Sequence, residues 1–207
     1  KITELQDQNE VLFPMANIGS SDEQQLEFQP WVKDLTNFIK EKGTLLNVDI
    51  KNSPGVDLVG DLHDKKFIEI LKSKNIGSVL CANILTNITD KEKFANSLLE
   101  VIHPGSILII TVSHRFPYVA DPVDTLYRPN PDQLAKLFPN TELVTSALVE
   151  SDSFARLLWR KKRVFFITCA RLFVPFYKFK TWWNLVCYLP HIFKPVSASC
   201  VVLRRLK

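Results

Sequence analysis

The chain has 207 residues, 46% hydrophobic and 23% charged, a composition that fits one globular domain with a substantial core and excludes disordered and disulfide-stapled classes. The net charge of +4 hides an asymmetry: residues 1–150 carry 14 basic and 21 acidic side chains, net −7, whereas residues 151–207 carry 12 basic ones and the single acid Asp152, net +11. The two parts therefore face different surroundings.

From Phe13 onward, short apolar runs alternate with helical stretches, the pattern of a βαβ fold. Met15–Ile18 predicts a buried strand ending at Gly19. Trp31 to Lys42 then carries Trp31, Leu35, Phe38 and Ile39 at helical spacing, with Gly43 as its stop. Leu45–Ile50 is a second strand with Asp49 near its end, and Asn52-Ser53-Pro54-Gly55 a turn before a short edge strand over Val56–Val59. Lys65–Lys74 predicts a helix with Phe67, Ile68 and Leu71 inward, and Ile76–Ala82 a core strand. Asp90 fits the N-cap of a helix presenting Phe94, Leu98 and Val101 on one face.

Pro104-Gly105 breaks that helix ahead of the most apolar strand, Ser106–Val112. Pro131 suits a first helical position, with Leu134 and Leu137 following, and Leu143–Val149 and Val196–Leu203 are the last strands. Right-handed crossovers make the central strands parallel, and the final strand can join the edge in the opposite direction. The predicted organisation is a Rossmann-like α/β domain over 1–150 and 195–207, with a helical, basic and aromatic insertion over 151–194.

Cys81, Cys169, Cys187 and Cys200 sit in apolar contexts without metal-ligand spacing. They read as reduced core residues, so the expected location is cytoplasmic, extending to the inner face of the membrane. No signal peptide is visible, and the chain begins at Lys1 without a methionine.

In an open α/β sheet, ligands bind outside the carboxyl ends of the strands where strand order reverses. Those ends carry Asn17, Gly19, Ser20 and Ser21, then Asp49 and Ile50, then Asp61, Leu62 and His63, then Cys81 and Asn83. Gly19 admits a ligand close to the backbone, Asp49 can accept from two ribose hydroxyls, and Asp61 can accept from an adenine amino group. A nucleoside fits this layout. Asp57, four residues before Asp61, serves the turn or the surface.

The stretch Pro54-Gly55-Val56-Asp57-Leu58-Val59-Gly60-Asp61-Leu62 is followed in order by Val79-Leu80-Cys81-Ala82-Asn83, Asp90-Lys91-Glu92-Lys93-Phe94 and His103-Pro104-Gly105. Asp121-Pro122-Val123-Asp124 and Tyr127-Arg128-Pro129 come next. On these motifs, over roughly residues 13–150 plus the last strand, the chain resembles the class I S-adenosylmethionine-dependent methyltransferases, particularly small bacterial ones. The resemblance implies a mostly parallel sheet with an antiparallel last strand, and S-adenosylmethionine as cofactor. It implies that Asn17, Gly19 and Ser20 contact the methionine part, that Asp49 and Ile50 hold the ribose, and that Asp61 and Leu62 hold the adenine. Cys81 and Asn83 would lie near the sulfonium. The usual GxGxG loop is here a single glycine followed by Ser20-Ser21, Asp22 and Glu23, and Asn87 and Val119 stand where many relatives have histidines.

Methyl transfer needs a base only if the acceptor must lose a proton. His114 is the first candidate, ahead of His63 and Asp121. The expected acceptor is a small molecule, glycan or lipid-linked group, methylated at oxygen. The alternatives are a non-catalytic binding or scaffold protein with a degenerate cofactor loop and, more remotely, a nucleotide-using oxidoreductase, which lacks the complete GxGxxG fingerprint. Asp121, Asp124 and Arg128 suit either a structural ion pair that orders the loop over the crevice or contact with the substrate.

Within the insertion, Arg160-Lys161-Lys162-Arg163 precedes Val164-Phe165-Phe166-Ile167, and Phe179, Trp182, Trp183, Val186 and Cys187 form one helical face. Basic residues and Pro175 keep every run short of the ~18–20 apolar residues of a spanning helix. Residues 154–193 therefore suggest contact with a membrane surface, a lid or a dimer interface, with nucleic acid ranked below these.

Overall fold

The computed structural model describes residues 2–7, 12–20, 30–118, 123–160, 162–176 and 178–207. Apolar runs covered on both faces make parallel strands, and charged amphipathic runs make their covering helices. The strands are β1 (Met15–Ile18), β2 (Leu45–Asp49), β3 (Leu58–Val59), β4 (Ser78–Ala82), β5 (Ile107–Arg115), β6 (Thr141–Ser153) and β7 (Pro195–Arg205). They form one sheet in the order β3-β2-β1-β4-β5-β7-β6. β3 through β5 are parallel, while β7 is antiparallel to β5 and to β6.

β7 thus lies inside the sheet, and β6, not the final strand, forms the edge. Burial explains the difference: Val201, Val202 and Leu203 of β7 are buried, whereas β6 has no buried residue along its length. Pairing with each other also extends β6 and β7 beyond the apolar stretches that announce them.

Helices α1 (Ile2–Asp7) and α2 (Pro30–Lys42) accompany one core, where Leu5, Met15, Ile39, Leu80 and Ile109 meet. On the other face, α3 (Lys65–Lys72), α4 (Lys91–Val101) and α5 (Pro131–Lys136) deliver Phe67, Leu71, Phe94, Leu98 and Leu134 into the larger core. Each such side chain contributes roughly 1.5–3 kcal/mol by leaving water.

The helix starts follow their capping chemistry. Asp90 accepts the Lys93 amide at 3.0 Å as the N-cap of α4. Asn130 and Gln133 bond each other's backbone amides in a capping box ahead of Pro131 in α5.

Between β6 and β7 lie α6 (Phe154–Arg160), α7 (Lys162–Leu172), α8 (Phe179–Tyr188) and the 3₁₀ turn Leu189–His191. Their base is fastened to the sheet: Phe154 packs edge-on against Phe116 and Tyr188, and the Ala155 amide donates to the Ile192 carbonyl at 3.0 Å. No helix among the described residues is long and apolar enough to cross a membrane.

The cysteines are all unbridged, but only Cys81 is fully buried. Cys169 and Cys200 are half-buried and Cys187 is exposed, which corrects the expectation of four core thiols. Cys187 lies eight residues after Phe179, on the outward stripe of α8.

Candidate active site

Strand order reverses between β1 and β4, with β1 continuing into β2 on one side and β4 into β5 on the other. A ligand crevice belongs at the carboxyl ends flanking that point. A cavity of about 210 Å³ lies there, lined at the strand ends by Ile18, Gly19, Asp49, Ile50, Asp61 and Leu62 and walled by Ile84, Ile88 and Phe94. Its size, below the ~300–1,000 Å³ that encloses a drug-sized ligand, suits part of an extended molecule. Two larger depressions, about 410 and 600 Å³, are formed by surface side chains around Tyr127, Glu92 and Leu137, and no strand end contributes to them.

The backbone turns out of β1 at Gly19, where φ is +72° and the amide donates to the Val48 carbonyl at 2.9 Å. A Cβ at this position would sit 2.4 Å from Ile84 Cδ1. Only glycine combines this left-handed turn with the space between β1 and the turn after β4. The next residue, Ser20, is buried, and its hydroxyl has no partner among the described residues.

Asp49 ends β2 half-buried. Its Oδ1 accepts the Lys51 amide at 2.8 Å, which orients the carboxylate at the cavity wall, and among the described residues nothing bonds Oδ2. Asp61 is exposed, and its Oδ1 accepts the His63 amide at 2.8 Å. Gly60 links the two acids, its amide donating to the Asp49 carbonyl at 3.0 Å. A side chain at Gly60 would strike the Phe67 ring at 2.3 Å, so the glycine lets α3 pack beneath this wall.

The structure therefore gathers Gly19, Asp49, Ile50, Asp61 and Leu62 around one cavity and adds His63, but it leaves four expected contacts outside the lining. Asn17 donates from Nδ2 to Asn47 Oδ1 at 3.0 Å, tying β1 to β2. Ser20 lies beside the cavity rather than in its wall. Asn83 is exposed with φ +58° and starts the 3₁₀ turn Ile84–Thr86, a conformation asparagine tolerates. Cys81 lies in the core between Ile18 and Ile110 of the neighbouring strands, and burial pushes its thiol pKa up to about 12. Asp57 serves the turn, accepting the Asn47 amide at 2.8 Å. Ser21, Asp22, Glu23 and Asp121 lie outside the described residues.

Of the apolar walls of this cavity, Ile88 and Phe94 were not among the residues the sequence singled out for it. Phe94 was legible only as a core position on one face of α4, and Ile88 lies in the connection after the Ile84–Thr86 turn, which a period-based reading passes over.

His114 stands half-buried near the end of β5, three residues beyond the level where Thr111 pairs with Ala82. That places it roughly 10 Å farther along the strand direction. Its Nδ1 lies 3.0 Å from the Pro129 carbonyl oxygen, which also accepts the Ser199 hydroxyl at 2.7 Å. A carbonyl can only accept, so Nδ1 carries the proton and Nε2 of a neutral ring keeps its lone pair.

The loop around it is pinned by Arg128. Its guanidinium pairs with Asp124 through contacts of 3.1 and 2.6 Å and donates to the Phe116 carbonyl, while the Thr125 amide and hydroxyl donate to the Thr86 carbonyl, each at 2.9 Å. Arg115 reaches the Pro195 carbonyl at 3.3 Å and Glu150 at 3.6 Å. Burial raises the Tyr188 hydroxyl pKa, and the nearby Arg115 and Arg128 oppose the rise.

No family model matches the chain, and no curated protein matches it. Solved structures do. Coclaurine N-methyltransferase bound to N-methylheliamine and SAH aligns over 99% of this chain and 71% of its own at a TM-score of 0.57 and 12% identity. A SAM-dependent methyltransferase from Anabaena variabilis ATCC 29413 aligns over 99% and 83% at 0.55 and 11%. The cyclase SpnF aligns over 93% and 75% at 0.55 and 13%. The last of these is a cyclase, so the shared architecture does not by itself fix the reaction. The chain has the fold of the class I S-adenosylmethionine-dependent methyltransferases.

Proposed function

We propose that the chain binds S-adenosylmethionine and transfers its methyl group to a small-molecule, glycan or lipid-linked acceptor at oxygen. The observation that carries this reading is the cavity in which Gly19, Asp49, Ile50, Asp61 and Leu62 converge beside the strand-order reversal. The residues fit a nucleoside. The Asp49 carboxylate can accept from two ribose hydroxyls, Asp61 and the backbone of Leu62 can meet a base edge, and Ile50, Ile84 and Phe94 offer apolar cover. Gly19 presents bare backbone to the cavity, past which the rest of an extended cofactor would run, and Asn17, Ser20, Cys81 and Asn83 border that route in sequence without lining the cavity.

When bound, the cofactor supplies an electrophilic methyl on a sulfonium. The protein's part is alignment of an acceptor oxygen and, where that oxygen is a hydroxyl, removal of its proton. His114 suits the second task because the Pro129 carbonyl fixes its tautomer with Nε2 as acceptor. The fastened base of the 154–194 segment, through Phe116, Phe154 and Tyr188, roofs the same strand end and is the natural wall of an acceptor pocket.

The test is incubation with methyl-labelled cofactor and separated small-molecule, glycan and lipid fractions. Label appearing in one fraction, and lost in His114→Gln, is expected. Cofactor binding without transfer to any fraction would favour the scaffold reading, which the shortened glycine loop motivates.

A further inference from the structure

We propose that the 154–194 segment docks on an anionic phospholipid bilayer through the tip and outer stripe of its helix pair. Soluble helices keep their large apolar side chains turned inward; here large aromatic and aliphatic side chains also stand outward. On α7, the exposed positions Arg163, Phe166, Ile167 and Ala170 recur at helical spacing, and half-buried Phe165 packs edge-on against exposed Trp159 at 5.1 Å between ring centroids. On α8, which has no fully buried residue, Phe179, Trp183 and Cys187 follow at i, i+4 and i+8, all exposed.

The connection between these helices carries the extreme case: Phe173 is 86% exposed and Phe176 96%. Phe193 beyond α8 is 82% exposed. Isolated apolar side chains on a surface are ordinary, but this many exposed aromatic rings on one short helix pair mark a contact site. The hairpin is a built structure, since Trp182 Nε1 donates to the Leu172 carbonyl at 2.9 Å and closes α8 against the end of α7.

Charge selects the occupant. Asp152 is the last acid in the sequence, and Arg156 and Arg160 pair with it at 3.1 and 2.8 Å. Beyond those pairs, Lys162, Arg163, Arg171, Lys180 and Lys194 are exposed around the aromatic stripes with no acid in their segment. A second copy would bring the same unbalanced positive charge to the interface, so self-association opposes itself electrostatically. An anionic headgroup layer over an apolar interior matches both features at once: aromatic rings at the acyl boundary and basic groups among the phosphates. The helices are too short to span, so the segment lies on the surface. If the methyl-transfer reading holds, the acceptor is presented at that surface; the docking itself stands without it.

The test uses the whole chain without cofactor, mixed with vesicles of phosphatidylcholine or of equimolar phosphatidylcholine and phosphatidylglycerol. The expected result is co-sedimentation with the anionic vesicles only, weakened by salt, with a blue-shifted tryptophan emission from Trp159 and Trp183. Phe173→Ser/Phe176→Ser should abolish the emission shift, and Lys162→Glu/Arg163→Glu should weaken binding roughly tenfold or more at low salt. These side chains are exposed, and circular dichroism confirms folding. Quenching of wild-type emission by brominated lipid tests the same insertion without any variant. Absence of sedimentation by the folded chain, or equal binding by the two-Phe variant, overturns the proposal. So does a dimer dispersed by Phe173→Ser/Phe176→Ser, or oligonucleotide binding, in place of vesicle binding.

Discussion

His114 illustrates how one backbone oxygen gives a side chain a chemical direction. Because Pro129 accepts from Nδ1, replacing His114 by Gln keeps a donor of similar reach but removes the basic nitrogen. We expect kcat to fall by about 10²–10⁴-fold while cofactor affinity stays within about twofold, measured by methyl-transfer kinetics and calorimetry. A purely structural histidine would instead lower thermal stability and leave the pH profile unchanged. Cys81 makes the opposite case. Its folded thiol pKa is raised to about 12 from 9.0 by burial, so the unfolded chain ionises first. The stabilising contribution is intact below pH 9.0 and is lost as pH climbs toward about 12. Urea titrations across that range should show alkaline destabilisation that is shallower in Cys81→Ala. At this scale Gly19, Asp49 and Asp61 were legible because a strand end fixes where they sit. Asn17, Cys81 and Asn83 were not, since strand-end position alone does not tell which face or turn conformation a side chain takes.

Among the elements, the loop between β5 and α5 depends on the Arg128–Asp124 pair, whose side chains are 16% and 4% exposed. Arg128→Ala removes the guanidinium paired with a nearly buried carboxylate that still accepts the Leu126 amide at 2.8 Å, and a cost of about 1.5–3 kcal/mol in urea unfolding is expected. Asp124→Asn should cost less, because the Arg128 guanidinium keeps the Phe116, Tyr127 and Pro117 carbonyls as acceptors. The sequence announced charged partners here through the Asp121-Pro122-Val123-Asp124 and Tyr127-Arg128-Pro129 stretches, without telling which acid Arg128 meets. It announced α3, α4 and α5 through caps and apolar periodicity. It did not announce that β7 runs between β5 and β6, because strand order depends on long-range pairing and not on local pattern. The ends of β6 were hidden for the same reason: its residues alternate weakly, and only its partner β7 carries the buried valines.

The whole molecule is polar in charge: an acidic Rossmann-like body joined to a basic, aromatic helical segment. That segment is anchored where His114 and Arg115 end β5, so a bilayer-bound orientation would present the strand-end face toward the source of a lipid-linked acceptor. The charge asymmetry was plain from the sequence, and so was the amphipathic face of α8. Which side of each helix faces outward emerged only from packing. The central claim is the nucleoside site, and the most direct measurement is calorimetric titration with S-adenosylmethionine and S-adenosylhomocysteine of the wild type and Asp49→Ala. The wild type should show one saturable site, weakened roughly ten- to hundredfold in the variant as charge-assisted bonds to the ribose are lost. No binding by well-folded wild type, or tight NAD binding in its place, would contradict it.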